Sequence, residues 1–415
     1  MATRRCLGGL IGLTVLLSAC QPERAPTDSD PTPTSEMTDP EPTAPPGFAL
    51  EPISFADVPG WEKTNPGPAI SAFARTCEKW AALPGDEPIS ARAGYGGRIE
   101  DWMPACRILP QYQEAGELRR FFEDYFAPFI ISTEEETNKL TGYYEPEIPG
   151  SREQTPEFSE PIPARPDDLI EVDLGLFDEA LSPRKIWGKV DGSQLTLYPE
   201  RSDIETTSDH AIGYATPADV FFMQIQGSGR VRFGEDDVIR AAFDAHNHRP
   251  FGSLANHLLE AGEISRAEAG MSGLRAWIDR VGPERAREAM NINSRFVWFR
   301  EIEVTDPSEG PAGAAGLPLT AMGSLAVDLN HHPLGVPMIV RSLIPSAPGR
   351  VDNAPSNLLL VSQDTGGAIT GIRRGDIFFG TGDGAGAIAG SMNQPGEFVV
   401  LLPQGLERAP AGAAP

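Results

Sequence analysis

Short apolar runs broken by glycine and proline predict a mainly β protein with peripheral helices. Three observations carry that reading. The chain holds 43 glycines and 40 prolines, and many of them bound apolar runs of four or five residues. Helical spacing is confined to a few segments. The 369 residues that follow the first 46 (415 − 46) suit two domains better than one. Many short strands with this punctuation point to β-barrels rather than to a doubly wound α/β sheet.

Residues 1–19 read as a lipoprotein signal peptide. Arg4 and Arg5 precede an apolar run from Leu7 to Leu17, too short to span a bilayer as a finished helix. Leu17-Ser18-Ala19 then places small residues before Cys20, the arrangement that lipoprotein processing acylates and cleaves. Several acyl chains on one terminus anchor stably where one alone binds reversibly. Gln21 after the anchor, in place of Asp, favours the outer membrane, with the protein facing the periplasm. Residues 20–46 continue as a tether. Residues 21–46 carry eight prolines and no aromatic or branched aliphatic side chain, so they cannot form a core. The reach is roughly 27 Å as a coil and roughly 80 Å as polyproline.

Hydrophobic content of 40% and charged content of 22% are those of a globular protein. The net charge is −25, and −27 without Arg4 and Arg5. Such a field does not recruit nucleic acid or anionic lipid, and any anionic polymer must be held by hydrogen bonds and stacking. Cys77 and Cys106 remain after Cys6 and Cys20 are set aside, and an even pair in an exported chain reads most simply as a disulfide. Its closure stabilises by about 3.6 kcal/mol on the chain-entropy model. The six histidines show no zinc spacing, so no metal is expected.

Along the folded part, Leu118, Phe121, Phe122, Tyr125 and Phe126 recur at helical spacing within 114–126. Tyr143 and Tyr144 follow Gly142 and are candidates to stack on sugar rings, or in one case to sit in the core. Leu195 to Tyr198 reads as a short strand. Val220 to Ser228 alternates, with Phe221, Met223 and Ile225 on one side and Gln224, Gln226 and Ser228 on the other. Two amides and a hydroxyl on one strand face suit sugar hydroxyls and N-acetyl groups, unless that face is merely solvated. His246-Asn247-His248 precedes Arg249-Pro250 and reads as turn and surface residues. Ser265 to Glu268 is a capping box opening a helix to about Val281, and Pro283 starts another to Met290. Residues 296–299, 337–340, 358–361 and 398–402 then read as strands.

Gln363 to Gly390 holds Asp364, Asp376 and Asp383 among nine glycines and no lysine. Glycine gives up packing for close backbone approach, so this segment suits carboxylates presented to a bound polymer. Asp364-Thr365-Gly366 also looks like an aspartic-protease loop, but that chemistry needs two facing copies and this chain has one. A calcium loop lacks its spacing here. Aspartates capping turns of a Gly-rich barrel stay open as a structural reading.

Several blocks resemble, in order, the membrane-bound lytic murein transglycosylase A family. They are TGYYEPEIPGS from Thr141, FMQIQGSG from Phe222, NSRFVWFR from Asn293, LPLTAMGSLAVDLNHHPLG from Leu317, the Asp364 and Arg374-Gly375-Asp376 segments, and GEFVVLLP from Gly396. The resemblance covers residues 130–405. It implies a double-psi β-barrel built from 47–140 and 295–405, an inserted β-rich domain at 141–294, a tail at 406–415, and a peptidoglycan groove between the domains. It implies that Asp376 is the catalytic residue, that Asp364 is its acidic neighbour, and that Asp328 is the first of three aspartates. Tyr143, Tyr144, Gln224, Gln226, Ser228, Asp328, Gly366 and Gly367 are then expected along the substrate. Family members cut the bond between N-acetylmuramic acid and N-acetylglucosamine without water, which implies an exotransglycosylase with no cofactor. The expected partners are peptidoglycan, the outer membrane, and cell-wall synthesis or division proteins; the alternative is a non-catalytic, wall-loosening glycan binder. His331-His332 and Thr370 depart from the family pattern.

Overall fold

A computed structural model describes residues 48–135, 138–178, 181, 185–204 and 210–406. The signal sequence, Cys20 and the tether lie outside the described residues, as does the tail beyond Leu406. Nine strands form the main sheet, in the order Phe48–Pro52, Phe126–Thr133, Gly396–Pro403, Pro337–Ser342, Ser356–Asp364, Ser324–Val327, Arg373–Thr381, Asn138–Glu145, Asn393–Gln394. The central strands are apolar throughout because both faces are covered: every residue of Ser324–Val327 is buried, and only Glu397 of Gly396–Pro403 is exposed.

The sheet is mixed. Ser324–Val327 runs parallel to Ser356–Asp364, Arg373–Thr381 runs parallel to Asn138–Glu145, and the other ladders are antiparallel. It also curls. The Gly396 amide donates to Asn138 Oδ1 at 2.8 Å, although their strands stand five places apart in the order. Gly375 sits where a Cβ would press on Leu140, Leu325 and Phe398, so glycine lets the curled sheet close on its own core. The strand order keeps two edges, and no closed barrel is formed among the described residues.

Helices Gly67–Trp80, Ile99–Ala115 and Leu118–Tyr125 cover one face with buried Phe73, Trp80, Trp102, Phe121 and Phe122. The predicted 114–126 helix is thus two pieces. Gly116 at φ +71° ends the first with a left-handed cap, and the second begins at Leu118. A disulfide joins Cys77 to Cys106, one on each of the first two helices, with Cα atoms 5.3 Å apart.

The intervening chain forms a second body. A four-stranded sheet orders Val297–Glu303, Val238–His246, Gly229–Arg232 and Glu147–Pro149. Helices Pro217–Gln226, Leu254–Glu260, Met271–Val281 and Pro283–Met290 pack beside it around Phe221, Phe222 and Trp277. A meander of Ile170–Asp173, Lys185–Asp191 and Gln194–Thr196 completes it.

The largest correction falls on residues 220–228, which are helical through Gln226, not extended. Thr216 caps the helix, its hydroxyl accepting from the Asp219 amide at 3.2 Å. Pro217 occupies the first turn, and Gly227 ends the helix at φ +85°. Thr-Pro at the start and Gly at the end were the helix signals. The alternation misled because Val220, Phe221, Phe222 and Met223 are all buried, so the helix is apolar on several sides.

Glu145 ties the bodies together. Its carboxylate, 1% exposed, accepts from Arg230 at 3.0 Å, Arg240 at 2.5 Å and Thr381 Oγ1 at 2.8 Å. Both guanidiniums also donate to the Glu309 carbonyl.

Candidate active site

Strand pairing places the aspartates. Ala326 is the register partner of both Asp364 and Asp376, and Asp376 is in turn opposite Thr141, itself opposite Asn393. Residues directly opposite in a sheet share a face, so these side chains form one row across five strands. Two inter-strand steps separate Asp364 from Asp376, about 9.5 Å at Cα. An aspartic-protease pair would need its carboxyls in contact, and here the Ser324–Val327 strand stands between them.

Asp376 is half-buried and accepts from Thr141 Oγ1 at 2.7 Å. The Thr141 hydroxyl oxygen in turn accepts from Arg374 Nη2 at 2.8 Å. Burial pushes the Asp376 carboxyl up to about 6, against the pull of Arg374 and the Thr141 hydrogen bond; Asp364 adds a smaller push. Desolvation, more than the neighbouring aspartate, therefore brings this carboxyl towards neutral pH.

Asp364 closes the Ser356–Asp364 strand. It accepts from the Tyr143 hydroxyl at 2.8 Å and the Ala314 amide at 2.9 Å. Burial raises its pKa, and those two donors with the Thr365 amide oppose the rise. Ala314 lies on a segment strapped down by Lys79 Nζ to the Ala315 carbonyl (2.6 Å) and by Arg75 to Glu309 (3.0 Å).

The remaining candidates divide. Tyr143 is half-buried with its ring 5.3 Å from Phe378, so its hydroxyl serves Asp364. Tyr144 is a core residue at 8% exposure, packed where a Gly386 side chain would fall, and its amide donates to Gln226 Oε1 at 3.3 Å. Gln224 is buried, accepting from Arg201 at 2.6 Å and donating to the Val297 carbonyl at 2.8 Å. Ser228 is buried too. The polar strand face expected of Gln224, Gln226 and Ser228 does not exist, because a helix turns them apart.

Asp328 is not in the row. Its buried carboxylate accepts from the Asn330 and Gly371 amides at 2.9 and 2.8 Å, which fastens two loops. Next to it, fully buried His332 donates from Nε2 to the Ile372 carbonyl and accepts at Nδ1 from Tyr95, both at 2.7 Å. Burial holds its pKa down to about 4. This is what the departure at His331-His332 builds. Gly366 and Gly367 are exposed, and Gly367 lies where a Cβ would come within 2.5 Å of the Arg295 guanidinium.

Thr141, Arg374 and Arg295 were not anticipated as site residues. Thr141 had a signal: it alternates with Tyr143 and Glu145 on one strand, and their side chains bond Asp376, Asp364 and Thr381 respectively. Arg295 had none, since only tertiary packing brings it to Gly367.

Residues 139–300 match the family model described as MltA specific insert domain, and residues 323–402 match the 3D domain. Membrane-bound lytic murein transglycosylase A of Vibrio cholerae is 32% identical over 204 residues, 49% of this chain and 53% of that relative, about half its length. The crystal structure of membrane-bound lytic murein transglycosylase from Agrobacterium tumefaciens aligns with a TM-score of 0.72 and 27% identity, covering 86% of this chain and 98% of that one. The lytic transglycosylase LtgG of Burkholderia pseudomallei is 31% identical with a TM-score of 0.56, covering 88% of this chain and all (100%) of that one. The chain belongs to the MltA family, with its specific insert domain and a C-terminal 3D domain.

Proposed function

We propose that this protein is a lytic transglycosylase that cuts the β-1,4 bond between N-acetylmuramic acid and N-acetylglucosamine in peptidoglycan. The observation that carries the reading is Asp376: half-buried, hydrogen-bonded through one oxygen to Thr141, and shifted up to about 6. That is a proton donor poised near neutral pH. Hydrolases of this bond use two carboxyl groups, one to activate or replace water. Here Asp364 is occupied by Tyr143 and Ala314, which suits a fixed electrostatic neighbour better than a water activator.

In the proposed reaction Asp376 protonates the glycosidic oxygen as the C1–O bond breaks. The muramic C6 hydroxyl attacks C1 and passes its proton to the Asp376 carboxylate, closing a 1,6-anhydro ring and restoring the acid. An intramolecular nucleophile brings a large effective molarity, which takes the place of a second side chain.

The same reading extends to the rest of the chain. The curl and the two parallel ladders of the nine-stranded sheet support a double-psi type of domain around an insert. Its first part runs through Glu145 rather than ending at 140, and Val297–Glu303 belongs to the insert's sheet. Cys20 is proposed as the lipid anchor to the outer membrane, consistent with the membrane-bound relatives; no described helix is long and apolar enough to cross a membrane. The test is the product. Digestion of purified sacculi should release 1,6-anhydro ends that borohydride cannot reduce, one water lighter than hydrolysis products. Reducing ends as the main product would sink the reading, and no cleavage at all would favour a wall-loosening binder.

A further inference from the structure

The second body holds a cavity of about 440 Å³, open on one side, that the row of aspartates does not use. Arg201 stands in its wall. Its guanidinium lies 5.2 Å from the Phe221 ring centroid and 5.0 Å from that of Phe296. Nε donates to the Asn293 carbonyl (2.9 Å), Nη1 to Gln224 Oε1 (2.6 Å) and Nη2 to the Arg295 carbonyl (2.7 Å). A guanidinium has five N–H groups, so three bonds leave two N–H groups over. All three acceptors are neutral, although burial of this cation is severe enough to lower its pKa to about 10. The cavity's carboxylate, Glu160, pairs with its other guanidinium, Arg287, at 2.9 Å and partly offsets the desolvation of Arg201. Two cations against one anion leave the lining positive within a chain of net charge −25.

The cavity is one residue away from the catalytic loop. Arg201 holds the Arg295 backbone, and the Arg295 side chain lies against Gly367, three residues beyond Asp364. A peptide of four residues spans about 13 Å when extended. The remaining lining is of two kinds that suit a peptide: Gln154 and Asn291 amides for its backbone, and Val220 and Met290 for its aliphatic side chains.

We propose that this cavity binds the peptide stem of the glycan strand, with Arg201 receiving a stem carboxylate. This rests on the peptidoglycan reading and names which form of the polymer the enzyme prefers. Calorimetry with a synthetic stem tetrapeptide should detect binding to the full chain. The fully amidated peptide should bind at least about tenfold more weakly, the loss of one charge-assisted contact. Arg201→Gln should show the same loss. Because Arg201 also ties two backbone carbonyls, Ser159→Trp serves as the second variant: Ser159 lines the cavity and takes no part in those bonds, so the variant should melt like the parent while losing peptide binding. The parent should show a lower KM for peptide-bearing strands than for stripped ones, and in Ser159→Trp the two should converge. Failure of the parent to bind the free-acid peptide, equal binding of the amidated form, or undiminished binding by Ser159→Trp would each overturn the proposal. Binding is read without turnover, so cleavage with no peptide binding refutes this inference alone. Peptide binding with reducing-end products refutes only the transglycosylase mechanism.

Discussion

At the scale of single residues, the proposed chemistry depends on how burial makes a half-buried carboxyl a weaker acid. Asp376 has a folded pKa raised from 3.8 to about 6, chiefly by desolvation. A raised folded pKa contributes stability below 3.8 that is lost as pH rises through about 6. Asp376→Asn removes that loss. It should therefore unfold at higher denaturant than the parent at pH 8, by about 1–3 kcal/mol, and by less at pH 4. The same variant should lose about 100-fold or more in cleavage rate. A collapsed melting temperature would make the residue structural instead. Thr141 donates the hydrogen bond that lowers the Asp376 pKa, so Thr141→Val should move the alkaline limb of kcat/KM to higher pH. An unmoved limb would remove Thr141 from the site.

At the scale of elements, the helical cover and the sheet are fastened differently. The sheet strands carry their own buried ladders. The Gly67–Trp80 and Ile99–Ala115 helices meet around aromatic rings, with Trp80 and Trp102 centroids 5.3 Å apart, and are stapled by Cys77–Cys106. Replacing both cysteines with serine should lower stability by about 2–4 kcal/mol in urea unfolding, since the open loop regains chain entropy. The parent in reductant should fall to the same curve. A variant that unfolds at the parent midpoint under oxidising conditions would mean that aromatic packing alone holds the helices.

At the scale of the whole molecule, the Asp376 strand and the inserted domain share one ion cluster. Glu145 lies on the Thr141 strand, bonds Thr381 at the end of the Asp376 strand, and takes Arg230 and Arg240 from the other sheet. Buried pairs add little net stability when intact but cost heavily when one partner is removed. Glu145→Ala leaves two nearly buried guanidiniums uncompensated and should cost about 3–5 kcal/mol. It should also impair cleavage without touching Asp376, because the relative placement of the two bodies depends on it. Full activity with parental stability would show that the cluster is not the coupling.

What the sequence determined by itself was whatever depends on local pattern or on residue chemistry. Continuous apolar runs at 337–340, 358–361 and 398–402 located the strands 337–342, 356–364 and 396–403, because those runs are largely buried on both faces. A proline start located the Pro283–Met290 helix. Of the three aspartates on the glycine-rich background, Asp364 and Asp376 come together in one row of the main sheet, while Asp383 is exposed in the first turn of the Gly382–Ala389 helix. The tertiary structure decided the rest. Residues 220–228 alternate like a strand, yet Thr216, Pro217 and Gly227 fold them as a helix buried on several sides, which removes the polar face. Asp328, Tyr144 and Gln224 have the chemistry of ligand contacts but are spent on amides, core and a neighbouring arginine. Arg295 and Arg201 show no signal in one dimension. Packing alone brings Arg295 against Gly367 and Arg201 onto the Arg295 carbonyl, since a contact between distant positions leaves no periodicity to read.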